Sequence, residues 1–330
     1  MYLLPDSWTW DSWFVDDGEQ FHAFYLKASR ALGDPDRRHR HASVGHAVSS
    51  DLRSWTEVAD VLVASDGPAF DDLAIWTGSI VCGPDGLWRF FYTACSRERP
   101  EQQRISIATS SDLMTWNVDP GRKPLEADAT CYEKLGDSAW YDEAWRDPWV
   151  FQDPAGHGWH MLITARAREG ALRERGVIGH ATSPDLETWQ VEPALSAPGA
   201  GFGQLEVPQV AVVDGRAVLV FSCLDGELSD ERRASDAGGG IWTVPIDSLT
   251  GPYDISRATR LTDSTLYAGR LVQDRAGAWQ LLAFRNRDSD GHFVGGLIDP
   301  LPVSWIGDRL SLTVGTPGAL SAPPPERAYR

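Results

Sequence analysis

A heptapeptide, Ser-x-Asp-Leu-x-x-Trp, recurs along this 330-residue chain and constrains its fold more than any other feature. Copies stand at residues 49–55, 110–116 and 183–189. A degenerate copy follows at Ile246-Asp247-Ser248-Leu249, and a fifth is expected between Asp299 and Trp305. Each of the first three comes after a strand-like run of small and β-branched residues, at 43–48, 105–109 and 177–182. A second element repeats in phase with the first. Apolar runs break at Asp16-Asp17-Gly18, Pro84-Asp85-Gly86, Asp153-Pro154-Ala155-Gly156, Asp214-Gly215 and Asp274-Arg275-Ala276-Gly277. They return as strands at 21–26, 88–93, 159–164, 217–221 and 279–284. Asp-Gly between apolar runs favours a hairpin, because both residues tolerate positive φ. Five hairpins, each followed by another strand at a spacing of roughly 50 to 70 residues, predict repeated small sheets. The expected fold is all-β: a single-domain, five-bladed β-propeller over residues 1–316, with three or four strands per blade. Residues 317–330, with Pro323-Pro324-Pro325, read as an extended or disordered tail. A β-sandwich is the structural alternative, but five in-phase copies favour radial repetition.

In a propeller the innermost strand of each blade lines a central channel, and its opening residues face a pocket at one end. The inner strands are expected at Trp10-Asp11-Ser12-Trp13, Trp76-Thr77-Gly78-Ser79, Arg146-Asp147-Pro148-Trp149, Gln204-Leu205-Glu206-Val207 and Leu266-Tyr267-Ala268-Gly269. Three of these five openings carry an acid: Asp11, Asp147 and Glu206. One acid there is explained by turn capping. Three like charges aimed at one pocket repel and raise one another's pKa, a cost that persists where acid–base chemistry uses it. Glycoside hydrolysis needs two carboxyl groups across the scissile bond, one protonated and one ionised. A third can orient the sugar hydroxyls. Tyr267 and Arg270 are candidates to complete the pocket from the fifth inner strand.

Composition removes other classes. The formal charge is −17, and a phosphate backbone or anionic membrane needs a basic face, so neither nucleic acid nor membrane is an expected partner. Fifteen Trp supply rigid surface for stacking sugar rings. No run approaches the ~18 apolar residues of a membrane span. The first ten residues lack a basic segment followed by an apolar one, which gives a cytoplasmic expectation. Cys82, Cys95, Cys131 and Cys223 have no metal-type spacing, and Cys82, Cys95 and Cys223 read as small buried hydrophobes. No cofactor or metal is expected. His41, His46 and His180 are scattered, and surface or satisfied-core roles suit them better than coordination. Asp137, Asp142 and Glu143 are placed at the pocket rim. Residues 229–233 read as a solvated loop, and Gly238-Gly239-Gly240 as a flexible connection rather than a phosphate cradle. Oligomeric state is not legible.

At these residues the chain resembles glycoside hydrolase families 32 and 68, the invertase and levansucrase clan. Trp10-Asp11-Ser12-Trp13 is similar to the family 68 nucleophile motif and, more loosely, to the family 32 Asn-Asp-Pro-Asn. Arg146-Asp147-Pro148 matches the Arg-Asp-Pro motif of both. Trp76-Thr77-Gly78-Ser79 resembles their Trp/Phe-Ser-Gly-Ser segment, and Glu206-Val207-Pro208 their acid/base motif. The resemblance implies Asp11 as nucleophile, Glu206 as acid/base, Asp147 and Arg146 holding ring hydroxyls, and Trp10, Trp76 and Thr77 lining the glycone subsite, with Gln204 as a further substrate contact. It implies retaining cleavage of β-fructofuranosides, sucrose or short fructooligosaccharides, through a fructosyl-enzyme. The chain departs from both families. It is too short for the family 32 C-terminal β-sandwich. Gln204 stands where family 68 has a second Glu. The alternatives are a fructosyltransferase, an inverting arabinofuranosidase or xylosidase of the family 43 type, and a non-catalytic sugar-binding propeller.

Overall fold

The computed structural model describes residues 1–236 and 238–313; the expected tail at 317–330 lies outside them. Five antiparallel four-stranded sheets follow one another along the chain. Blade 1 comprises β1 (Ser7–Asp16), β2 (Phe21–Ser29), β3 (Ser43–Ser49) and β4 (Thr56–Glu57). Blade 2 comprises β5 (Ala74–Cys82), β6 (Trp88–Cys95), β7 (Arg104–Ser110) and β8 (Asn117–Val118). Blade 3 comprises β9 (Trp145–Gln152), β10 (Trp159–Arg166), β11 (Gly176–Ser183) and β12 (Gln190–Glu192). Blade 4 comprises β13 (Glu206–Val213), β14 (Arg216–Cys223), β15 (Gly240–Pro245) and β16 (Thr259–Thr262). Blade 5 comprises β17 (Leu266–Gln273), β18 (Trp279–Arg285), β19 (Leu301–Ile306) and β20 (Arg309–Leu312). The innermost strands β1, β5, β9, β13 and β17 lie side by side, and β17 returns to β1 to complete the ring.

The repeated heptapeptide is the turn that leaves the third strand of blades 1 to 3. Its Asp accepts two backbone N–H groups: Asp51 from Arg53 and Ser54, Asp112 from Met114 and Thr115, Asp185 from Glu187 and Thr188. Its Ser hydroxyl bonds that Asp. Its Leu is buried in the left-handed region, with φ 62° at Leu52, 63° at Leu113 and 67° at Leu186. Its Trp indole donates to that Leu carbonyl in every copy. The side-chain bonds hold a conformation that a leucine otherwise disfavours. The Trp also wedges into the preceding blade. Trp116 meets Phe24 edge-on at 6.0 Å, and Trp189 meets Phe91 at 5.3 Å. Apolar side chains between neighbouring sheets thus form the core.

Blades 1 and 5 close the ring without sharing a strand. Tyr2 bridges to Leu297, Gly296 N–H donates to the Thr9 carbonyl at 2.8 Å, and the terminal ammonium of Met1 pairs with Asp299 at 2.6 Å. The expected fifth heptapeptide is not a turn. Asp299 binds the chain start and residues 301–306 are β19, because the long excursion after β18 is spent on closure. Residues 229–233 are not a loop either: Asp230–Asp236 forms a short α-helix, Asp230 and Glu231 favouring its N-terminus. Cys82 is exposed rather than buried, because it ends β5 as the strand leaves the sheet interior.

His46 and His180 are both paired with a second histidine inside a blade. His22 Nδ1 lies 2.9 Å from His46 Nε2, and His160 Nδ1 lies 2.8 Å from His180 Nε2. Burial, then the neighbouring ring, pushes His46 down to about 3 and His180 to about 4. Both are neutral at ordinary pH.

Candidate active site

Every inner strand carries a β-bulge at the same place. The register slips between Trp10 and Ser12, Trp76 and Gly78, Arg146 and Trp149, Glu206 and Gln209, and Tyr267 and Arg270. A regular strand sends successive side chains to opposite faces, whereas a bulge sets two residues against one and re-aims them. Two consecutive side chains of an inner strand can therefore face one pocket. Trp10 with Asp11, Trp76 with Thr77, Arg146 with Asp147, and Glu206 with Val207 all line a cavity of about 300 Å³, joined by Tyr267.

The three acids do not occupy equivalent positions, contrary to expectation. Asp11 and Asp147 sit in the bulge itself, as do Thr77, Val207 and Ala268. Glu206 sits one residue earlier, at the last paired position, which Trp10, Trp76, Arg146 and Tyr267 occupy in the other blades. Asp11 is also not at a strand start: it is mid-strand in β1, because that strand extends back to Ser7.

Bulge residues Asp147, Val207 and Ala268 have φ of 57°, 53° and 51°. Left-handed backbone in such residues costs of order 1–3 kcal/mol each and clusters at functional sites. Each is held by its preceding blade. Asp147 N–H donates to Thr93 Oγ1 at 2.9 Å, Val207 N–H to Asp147 Oδ2 at 3.1 Å, and Ala268 N–H to Ser222 Oγ at 3.1 Å. In blade 2 Gly78 follows the bulge because a Cβ there would meet the Phe91 carbonyl oxygen at 2.0 Å.

The polar contacts form one network. Asp11 accepts from Thr77 Oγ1. Asp147 accepts from Thr164 Oγ1 at 2.8 Å. Glu206 accepts from Arg146 Nη2 at 2.6 Å and from the Tyr267 hydroxyl. Arg146 Nη1 also donates to Asp142 at 3.1 Å and to Gln103 Oε1 at 2.9 Å. Burial and then the charge of Asp147 raise Asp11 to about 6. Burial also raises Asp147, with Arg146 opposing. Burial, then Glu227 and Asp147, raise Glu206 to about 8 against Arg146 and Tyr267. Burial works against the charge of Arg146, but Asp142, Glu206 and Asp147 hold its pKa well above the usual value.

Two expected residues stand outside the cavity lining. Gln204 is fully buried behind it and donates to the Tyr141 hydroxyl at 3.0 Å. Arg270 lies under Trp149, 4.9 Å from its ring, and donates to the Pro208 carbonyl at 2.7 Å. Of the three rim acids only Asp142 reaches the cavity. Glu143 is buried against Lys134, and Asp137 is exposed.

Sequence reasoning missed Tyr141, Glu227, Arg38 and His39, which also line the cavity. Glu227 was discoverable only as an acid in the short Asp225–Glu227 turn after β14. Arg38 and His39 come from the basic run Pro35–His41, a 3₁₀ insertion between β2 and β3. Burial, then Arg38 and Arg146, pushes His39 down to about 3. Asp288, Asp290 and His292, the last two exposed, bring ligand-type atoms within 4.8 Å of one another, and none of them lines the cavity.

A five-bladed propeller whose central funnel gathers carboxyl groups, an arginine and Trp walls is the architecture of a glycoside hydrolase. The chain belongs to glycosyl hydrolases family 32: the family's N-terminal domain matches residues 12–290. It is a glycoside hydrolase of the β-fructofuranosidase and sucrase type. It is 23% identical to the extracellular sucrase of Zymomonas mobilis over 94% of this chain and 83% of the relative. Among solved structures it is similar to the kestose-bound inulosucrase of Halalkalicoccus jeotgali (TM-score 0.76, 22% identity, covering 94% and 88% of the two chains). It is also similar to the levansucrase of Gluconacetobacter diazotrophicus (TM-score 0.75, 17% identity, covering 96% and 82%). The cytoplasmic expectation does not stand, since the Zymomonas relative is extracellular by name.

Proposed function

We propose that the protein is a retaining β-fructofuranosidase acting on sucrose or short fructooligosaccharides, with Asp11 as nucleophile and Glu206 as acid/base. One observation carries this reading: the two carboxyl groups share a funnel, yet their surroundings set Asp11 near 6 and Glu206 near 8. Between those values Asp11 is ionised and Glu206 is protonated, the pairing that double displacement requires.

In the first step an Asp11 oxygen attacks the anomeric carbon, the bond to the leaving oxygen breaks, and Glu206 gives that oxygen its proton. In the second, water attacks the fructosyl-enzyme, Glu206 takes the water's proton, and Asp11 leaves. Thr77 holds Asp11 in place through its hydroxyl. Asp147, kept rigid by Thr164 and the Val207 N–H, is set to orient ring hydroxyls and to face the positive charge that develops at the anomeric carbon. Trp10 and Trp76 wall the glycone. The family 32 match favours fructofuranosides over the arabinosides and xylosides of the family 43 alternative. Transfer to a second sugar uses the same fructosyl-enzyme and differs only in the acceptor.

The test is incubation with sucrose, levan and inulin oligomers beside nitrophenyl arabinoside and xyloside. Release of fructose, first formed as the β-anomer by NMR, is expected. Release of pentose alone, or of the α-anomer, rejects the reading. Asp11→Asn should bind substrate and lose turnover, and an unimpaired variant would reject the nucleophile.

A further inference from the structure

Two carboxyl oxygens are buried in the cavity wall without a hydrogen-bond partner among the described residues: Glu227 Oε2 and Asp142 Oδ1. Glu227 is 6% exposed, and its other oxygen accepts from the Tyr141 hydroxyl at 2.6 Å. Asp142 is also 6% exposed, and its other oxygen accepts from Arg146 Nη1 and from Gln103 Nε2 at 2.8 Å. A buried polar atom left unpaired costs roughly 1–3 kcal/mol, more when charged, so such atoms are rare and call for a reason. Blade packing supplies none here, because both residues lie in loops that face the funnel.

The wall is built, not incidental. Gln204 Nε2 donates to the Tyr141 oxygen, so the Tyr141 proton is committed to Glu227. Tyr141 remains 57% exposed, while its ring stacks on Trp140 at 5.1 Å. The Arg166 guanidinium lies 3.7 Å from the Trp140 ring and is anchored by Glu133. This bracing fixes Glu227 beside Glu206 and Arg146: after burial, its charge is the largest influence on Glu206, and Arg146 acts on it in turn. Asp11, bonded to Thr77, feels Asp147 and Arg270 instead.

We propose that Glu227 and Asp142 bind hydroxyl groups of an uncharged sugar leaving group. This rests on the fructofuranosidase reading, in which Glu206 protonates the departing oxygen, so that groups beside Glu206 face the leaving sugar. A hydroxyl both donates and accepts, and it satisfies a carboxyl oxygen in either protonation state. A phosphate or carboxylate only accepts, and it would enter a cavity already lined by Asp11, Asp142, Asp147, Glu206 and Glu227. A leaving sugar bearing such a group is therefore disfavoured.

The experiment compares kcat/KM for sucrose with that for nitrophenyl β-fructofuranoside, whose leaving group has no sugar hydroxyls. An aryloxide departs with less help from Glu206 than a sugar alkoxide, and Glu227 raises the Glu206 pKa, so each kcat/KM is taken as the pH-independent value from that variant's full pH profile. Glu227→Leu should lower the sucrose-to-aryl ratio roughly 10- to 100-fold, the worth of a hydrogen bond to a charged group. Glu227→Gln should restore part of it, and carries the same test if the leucine variant does not fold. Parallel losses on both substrates, or no change in the ratio, overturn the proposal. A wild-type enzyme that cleaves neither fructofuranoside instead overturns the reading beneath it.

Discussion

Arg146 and Glu206, sixty positions apart in the chain, occupy the same register position of neighbouring inner strands and meet there at 2.6 Å. The guanidinium reaches Glu206 with one nitrogen and Asp142 and Gln103 with another. Lysine cannot reproduce that planar fork. Arg146→Lys should keep the fold and lower kcat/KM for sucrose roughly 10- to 100-fold, since a single charged hydrogen bond is worth that much. Arg146→Met removes the counter-charge of three buried acids, and should lower stability by about 3–5 kcal/mol in urea unfolding.

Activity should follow a bell in pH. The proposed mechanism needs Asp11 ionised and Glu206 protonated, so kcat/KM should rise through about 6 and fall through about 8. Glu206→Gln should abolish the upper limb and cost roughly 10²- to 10⁴-fold on sucrose. A rate that stays level across both limbs would contradict the assignment of the two carboxyls.

The same shifts act on stability. Asp11 and Glu206 have folded pKa values raised above their ordinary ones, so between about 4 and 8 the folded state holds more protons than the unfolded state. Stability is therefore greatest below the unfolded values and declines as pH rises through the folded ones. Asp11→Asn removes its part of that decline. Its melting temperature should exceed the wild type's at pH 8, with the gap closing toward pH 4, by differential scanning calorimetry. This is the expected trade of stability for function.

The heptapeptide turns are structural and remote from the chemistry. Asp185→Ala removes the acceptor for Glu187 and Thr188 N–H groups and releases Leu186 from its left-handed backbone. It should lower the melting temperature by a few degrees and leave kcat/KM for sucrose unchanged.

Much of this was legible in the chain, for local reasons. Asp-Gly turns, the Ser-x-Asp-Leu-x-x-Trp repeat and alternating apolar runs each act within a few residues of themselves, so counting them counts the blades. The fifth heptapeptide failed because ring closure is a long-range demand: Asp299 serves the chain start rather than a turn. The residues of 229–233 failed through a short helix that no periodicity announces in so few positions.

The site divides in the same way. Sequence alone placed Asp11, Asp147, Glu206, Trp10, Trp76, Thr77, Arg146 and Tyr267 on inner strands, because each lies in the apolar run that precedes the hairpin turn of its repeat unit. It could not know that a bulge breaks the period of two in every inner strand, letting Trp10 and Asp11, or Arg146 and Asp147, face the same funnel. Nor could it bring in Glu227, Tyr141 and Arg38, which reach the cavity from connecting segments whose paths are decided by packing against other blades. Strand periodicity is a property of neighbours along the chain. The convergence of five blades on one axis is a property of the closed ring, and only there do three acids become one site.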